Sequence, residues 1–434
     1  MGQAEPAAGP PRAAGPLSDI ADPGLAAAGL ARIGWAERAM PVLGRIRAGF
    51  EAEQPFAGLT VAACLHVTAE TGALVNVLRA GGALVHLAAS NPLSTQDDVA
   101  AALAACPGGT VSARSGADRK TYYEHIHRAL DCAPALVIDD GCDLVTTLHA
   151  ERPELLAGVL GGCESTMTGV TRLRRMAAAG ALAFPMAAAN ASETRRMLDN
   201  RFGTGQSAID GVIRATNTLL AGKVVVVAGF GSAGTGIAER ARGLGSRVIV
   251  TETDPVRALD AVLQGYLVLP MAAAAPLGEV FITATGSRAV IAPAHLAVMR
   301  DGAILANAGH FDVEIDVPGL GELAVAVHPE VRPHADEYVL TDGRRLILLA
   351  EGRVVNLVAA EGHPAAVMDL SFAAQALVLA WLAHDHAGLA PGVHDVPAAI
   401  DAKIASLMLA SLGTEIDELT VAQRDYLDSW RYGC

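Results

Sequence analysis

From about residue 20 to 195 the chain alternates short apolar runs with stretches whose apolar residues recur at helical spacing. The runs GLTVAACLH (58–66), GALVHLAA (82–89) and PALVIDDG (134–141) predict strands. Strands separated by helices at this pace predict a parallel sheet with helical crossovers. Each run ends in a polar cluster: His66 with Thr68, Ser90 with Asn91, Asp139 with Asp140. Ligands of open α/β sheets lie beyond the carboxyl ends of the strands, so these clusters are expected to converge on one site. Taken singly, each also reads as a helix cap or turn residue.

A second run of the same kind begins at Gly222. KVVVVAGFG (223–231) is almost continuous valine, as a strand buried on both faces requires. It leads into GFGSAGTG (229–236), a helical stretch IAERARGLG, and a second strand, RVIVTE (247–252), that ends in an acid. A glycine triplet is a weak signal alone, but here Gly229, Gly231 and Gly234 lie between strand and helix, with Glu252 where a dinucleotide fold places its ribose-binding acid. Gly229 suits the tight turn, Gly231 and the Ser232–Ala233 backbone the approach to a pyrophosphate, and Gly234 close helix packing; the helix N-terminus favours the anion. Glu252 would accept from a ribose 2′-hydroxyl and repel a 2′-phosphate, which favours NAD over NADP. EVFITATG (279–286) and GAILANAGH (302–310) read as further strands whose ends meet the nicotinamide half, and the helix SFAAQALVLAWLAHD (371–385) returns toward the first unit.

Composition narrows the classes. In 434 residues, 32 Lys and Arg against 46 Asp and Glu leave a net charge of −14 with no basic stripe, which argues against nucleic acid as a partner. Mean hydropathy is +0.35, yet the apolar stretches are mostly alanine, broken by Gly, Pro or charge, so no membrane span is expected. The Pro- and Gly-rich start reads as a flexible tail rather than an export signal. Six scattered cysteines without a CxxC pair fit neither a disulfide framework nor a structural metal site, and point to the cytoplasm.

Seven strings, CLHVTAET (64–71), NPLSTQDD (91–98), DDGCDLV (139–145), LDNRFGTGQSAIDG (198–211), AGFGSAGTG (228–236), GHFDVEID (309–316) and LAEGRVVNL (349–357), resemble the S-adenosylhomocysteine hydrolase family from about residue 55 to 425. The resemblance implies an α/β fold: a substrate domain with a parallel sheet (19–195 and 364–395), a Rossmann NAD-binding domain (200–362) and a short C-terminal segment (396–434), preceded by a tail (1–18). It implies a cytoplasmic homo-oligomer, a tetramer or dimer, with NAD as cofactor, a nucleoside as substrate and no metal. The implied chemistry oxidises the 3′-hydroxyl so that the C4′ proton becomes acidic, eliminates the 5′ thiolate, adds water and reduces the ketone.

Residue by residue, the resemblance makes Asp140 the C4′ base and gives the 5′ leaving group and incoming water to His66. His310 bridges cofactor and sugar; Asn190, Asp199 and Asn200 surround the 3′-hydroxyl and nicotinamide; Thr68, Glu70 and Thr71 take the ribose edge and adenine, and His363 the adenine-side hinge. Thr166, Thr168, Thr285, Gly309 and Asn356 fall on cofactor contacts. Met167 interrupts a run of three family threonines, which should weaken cofactor binding by about 0.5–1.5 kcal/mol.

Other departures bear on the reaction. Arg195 stands for the lysine that accepts the 3′-hydroxyl proton, and a guanidinium is a poor proton acceptor. Ser165 stands for a glutamate that grips the 2′-hydroxyl, Glu361 for a methionine near adenine, Glu124-His125 for a Trp-Cys pair and Thr204 for a frequent cysteine. With YLDSWRYGC (426–434), the longer family tail whose Lys and Tyr reach a neighbouring subunit's NAD site is expected to be missing or rewritten. Three readings stay open: the ordinary hydrolase, a divergent nucleoside-modifying enzyme with the same 3′-keto chemistry, and a catalytically silent paralogue that binds NAD and a nucleoside.

Overall fold

The computed structural model describes residues 18–431 and builds them around two eight-stranded sheets. The expected tail, Ser18 apart, lies outside the described residues. In the first sheet the spatial order is Asp19–Ile20, Gly109–Ala113, Leu84–Ala89, Thr60–Leu65, Leu136–Asp139, Gly161–Glu164, Pro185–Ala188 and Gly392–His394, and every neighbouring pair is parallel. Thr60–Leu65 is the strand from which the chain winds outward in one direction and later resumes in the other. A crevice opens beyond the carboxyl ends of strands at such a reversal. His66 and Asp140 follow Thr60–Leu65 and its neighbour Leu136–Asp139, so the sheet order itself sets them side by side.

The second sheet runs Leu267–Val268, Arg247–Thr251, Val224–Ala228, Val280–Thr283, Ala303–Asn307, Arg345–Leu349, Ala335–Leu340, Ala324–Arg332. Its first six strands are parallel and the last two antiparallel. Val225, Val226 and Val227 are wholly buried, with Val225 and Val227 in the core on one face and Val226 in that on the other. The strand is shorter than the valine run suggests, Val224–Ala228, because the helix already starts at Ser232.

The chain leaves the first unit through the helical stretch 193–216 and returns to it through the helix Ala365–Asp385. By length and apolarity that helix could cross a membrane, but here its Phe372, Leu377, Val378 and Leu379 pack with Leu43, Leu74 and Leu78 in the first core. Asp369 on its first turns accepts hydrogen bonds from Val42 N (2.9 Å) and Leu43 N (2.7 Å), which opens the helix Pro41–Glu53. Burial pushes this carboxyl up to about 6 despite both donors. The helix Ala398–Ser411 then packs Ile404 into the same core, and Asp401 accepts from Thr194 Oγ1 at 2.7 Å. Among the described residues the cysteines are free, and no cluster of three His, Cys, Asp or Glu could hold a metal ion.

Asp369→Ala leaves two helix N-terminal amides without an acceptor in the core. It is expected to lower the unfolding free energy by about 1–3 kcal/mol in chemical denaturation; a change within about 0.5 kcal/mol would show that the clip contributes nothing.

Candidate active site

A cavity of about 310 Å³ lies between the two sheets and is lined from both units. On the first unit's side the His66 imidazole stands 3.2 Å through Nε2 from Asp140 Oδ2 and 2.6 Å through Nδ1 from Ser94 Oγ. Asp140 also accepts from Ser165 Oγ at 2.9 Å and Ser90 Oγ at 3.3 Å. Three side chains from three strand ends therefore fix one carboxylate. Burial, with His310 and His363 nearby, holds the His66 imidazole below its usual range, although Asp140 pulls the other way. A neutral ring can both donate and accept.

Beneath this pair lie two further acids. Asp139 accepts from the amides of Asp140 (2.9 Å) and Val145 (2.8 Å), and burial pushes it up to about 7. Glu164 Oε1 accepts from Gly141 N, Thr166 N and Thr166 Oγ1 at 2.7–2.9 Å, which fixes the turn that carries Asp140. The Thr166 hydroxyl is thereby committed: it donates to Glu164 and caps the helix Met167–Ala178 through Gly169 N. Thr168 lines the cavity beside Met167.

The far end of the cavity is acidic. Thr68 precedes the helix Ala69–Ala80, Glu70 sits in its first turn, and Thr71 donates to His66 O at 2.6 Å. Burial, and then Glu361 across the opening, push the Glu70 carboxyl up. Glu361 is largely exposed and pairs with Arg214 at 3.5 Å.

The floor is a charge cluster on the crossing segments. Arg195 Nε donates to Asp199 Oδ2 at 3.0 Å, and Asp199 Oδ1 meets His363 Nδ1 at 2.6 Å. Burial would raise Asp199, but His363 and then Arg195 hold it well below the usual carboxylate range. Among the described residues Arg195 Nη1 is buried with no partner, and Asn190 and Asn200 stand alongside. Asp199 and Asn200 belong to a π-helical stretch, Arg196–Gly203, where the widened turn brings both toward the cavity.

Across the cavity lies a cradle that only glycine can form. Gly229 has φ +94°, and a Cβ on Gly234 would stand 1.9 Å from Gly229 O. At Gly231 only a distant Arg257 atom lies within 4 Å of such a Cβ, so the surface there is open. No side chain caps the helix Ser232–Gly243 that follows, which leaves its first amides free for an anion. Glu252 is held at the rim by Phe230 N (2.7 Å) and Asp254 N (3.0 Å), which help to keep it ionised. Ala233 and Asn356 reach the cavity itself, and Asn356 Oδ1 is buried without a partner. A cradle of this shape, a rim acid and an unmet amide oxygen fit a dinucleotide.

Residues 18–155 match the model of the S-adenosyl-L-homocysteine hydrolase family, and residues 200–362 match the model of that family's NAD binding domain. The chain belongs to the S-adenosyl-L-homocysteine hydrolase family. It is 55% identical to the adenosylhomocysteinase of Aquifex aeolicus over 96% of its own length and 99% of the relative's. It is 54% identical to that of Thermosynechococcus vestitus, covering 96% of each, and 53% to that of Thermococcus kodakarensis, covering 95% and 98%. NAD is thus the family's cofactor and a small nucleoside its class of substrate.

Most of the residues expected to form the hydrolase site line this one cavity: His66, Asp140, Asp199, His310, Asn190 and Arg195 among the chemical groups, with Thr68, Glu70, Thr71, Ser165, Glu361 and His363 around them. Others stand behind it. Thr285 is bound to Glu314 through its amide (2.9 Å) and hydroxyl (2.6 Å), and a Cβ on Gly309 would strike Glu314 Oε1 at 1.9 Å. Glu314 was not singled out from the sequence, nor was Asn307, whose amide donates to Phe311 O (2.8 Å) and Gly352 O (3.0 Å) and so shapes the loop of His310. Gln375 was missed too: it lines the cavity with its Oε1 unpartnered. A lone amide in so apolar a helix was the signal.

Gly234→Ala places a methyl group on Gly229 O. NAD affinity, measured by fluorescence titration of a variant with unchanged circular dichroism, is expected to fall at least about tenfold, since a displaced cradle loses more than one hydrogen bond; undiminished affinity would contradict the cradle's role.

Proposed function

We propose that this protein reversibly cleaves S-adenosyl-L-homocysteine into adenosine and homocysteine with NAD held in its second unit. The observation that carries this is the His66–Asp140 pair at the first sheet's reversal point, facing the glycine cradle across one cavity in a chain of this family. In this reading residues 19–195 with 364–395 hold the nucleoside, 200–362 hold the cofactor, and 396–434 form the C-terminal segment. Gly229, Gly231, Ser232, Ala233 and Gly234 would cradle the pyrophosphate of NAD, Glu252 would hold its ribose, and Thr166, Thr168, Asn200, Thr285, Gly309 and Asn356 its nicotinamide half; the bound group would supply reversible hydride transfer at C3′.

Asp140 removes the C4′ proton once a ketone stands at C3′. Ser90 and Ser165 donate to the carboxylate and aim it, and His66 Nε2 at 3.2 Å offers the proton a way onward to the departing sulfur. The neutral His66 ring then accepts from the incoming water, with Ser94 at its other nitrogen. Asn190, Asp199, Arg195, His363 and His310 surround the sugar, while Thr68, Glu70, Thr71 and Glu361 line the base end and Ser165 the 2′ side. The same reading makes the protein a cytoplasmic homo-oligomer, a tetramer or dimer, with no nucleic acid or membrane as partner.

Purified protein carrying NAD, given S-adenosyl-L-homocysteine and a thiol reagent, is expected to release adenosine and free thiol in equal amounts. NADH absorbance with S-adenosyl-L-homocysteine as the substrate but no thiol released would instead establish the divergent nucleoside enzyme, which the bond from Ser165 to Asp140 favours. Neither signal from NAD-loaded protein would overturn both readings.

A further inference from the structure

Oxidation of a sugar hydroxyl has two halves. The hydrogen on carbon leaves with its electron pair for NAD⁺, and the hydroxyl proton must go to a base. The groups on the cavity floor leave few candidates. Arg195 is a guanidinium and does not accept protons at working pH. Asp199 lies well below the usual carboxylate range because His363 and Arg195 flank it. Both nitrogens of His66 are engaged, by Asp140 and Ser94, and His310 sits on an exposed loop.

His363 is arranged differently. Its Nδ1 stands 2.6 Å from Asp199 Oδ1 in an ion-pair contact, which leaves Nε2 as the nitrogen that faces a hydroxyl. Nε2 lies 3.1 Å from Thr204 Oγ1, at the start of the helix Thr204–Thr216. Asp199, His363 and Thr204 all line the cavity, and the unpartnered Arg195 Nη1 is buried beside them. A carboxylate that orients an imidazole whose second nitrogen faces a hydroxyl is a working proton acceptor.

We propose that Asp199, His363 and Thr204 form a proton relay: the substrate's 3′-hydroxyl gives its proton to Thr204 Oγ as Thr204 passes its own to His363 Nε2, while Arg195 Nη1 steadies the oxygen. This rests on the hydrolase reading and assigns the base that reading leaves open. Thr204 is the group that touches the substrate, and His363 acts through it. The balance is an alcohol and NAD⁺ giving a ketone, NADH and a protonated His363, and the proton returns by the same route on reduction. The charged and titratable groups facing His363 are Asp199, Arg195 through Asp199, His66, and Glu361 two residues away.

The test is the oxidation of adenosine by NAD-loaded enzyme, followed as NADH absorbance in single turnover from about pH 5.5 to 9, a range that spans histidine ionisation. The wild-type rate is expected to rise through one histidine ionisation, and Thr204→Ser, which retains the hydroxyl, to show the same pH limb. Thr204→Val should slow the step at least about tenfold, and His363→Gln should abolish the pH limb with a loss of about 10²–10³. Adding Arg195→Lys to His363→Gln should restore a limb at higher pH. Nitrogen-15 NMR of the protein without substrate provides a second readout: the His363 Nε2 signal should be displaced in Thr204→Val. A limb that survives in His363→Gln, or a His363 Nε2 signal unmoved by Thr204→Val, overturns the relay. A wild type that yields no NADH from adenosine overturns the hydrolase reading, and the relay with it.

Discussion

One buried carboxylate ties together the two segments by which the chain passes between its sheets. Asp199 stands on the outgoing stretch, with Arg195 one turn before it, and it meets His363 at the beginning of the return. Asp199 and Arg195 are buried and His363 half-buried, where an unpaired charge costs several kcal/mol. The cluster lines the cavity between the His66–Asp140 pair and the glycine cradle, where a sugar on one wall would meet a dinucleotide on the other.

The two walls are made by different means. On the first, two strand ends each contribute a hydroxyl donor to Asp140 and a third brings His66 within 3.2 Å, so the sheet's parallel register aims the carboxylate. On the second, the absence of side chains does the work: Gly234 lies so close to Gly229 O that no other residue fits, and the uncapped helix presents bare amides. Between the walls, Arg195 donates to Asp199 and Ser165 places its hydroxyl on Asp140.

The sequence carried the second wall almost entirely, because valine runs, glycine spacing and a terminal acid are local patterns. It carried the strand-end clusters of the first wall too, since alternating strands and helices fix which ends are shared. What it did not carry is the layer behind. Glu314 holds Thr285 from 29 positions away, Asn307 holds Gly352 from 45, and Glu164 braces the Asp140 turn across two strands. No spacing rule links such residues, since only the folded sheets bring them together. Gln375 stands between these cases: the helix was legible, but which of its faces meets the cavity was not. The tie between His363 and Asp199 likewise depends on where the return segment lands, so His363 was placed by resemblance at the base end, while its contacts lie with the charge cluster on the floor.

The central claim is that a ketone made at C3′ lets Asp140 take the proton from C4′. Mass spectrometry of adenosine recovered from NAD-loaded enzyme in deuterated water tests it most directly. The account predicts one deuterium at C4′ with the wild type and none with Asp140→Asn, although that variant still turns its NAD to NADH. Deuterium at C4′ in Asp140→Asn, or none in a wild type that forms NADH, would contradict it.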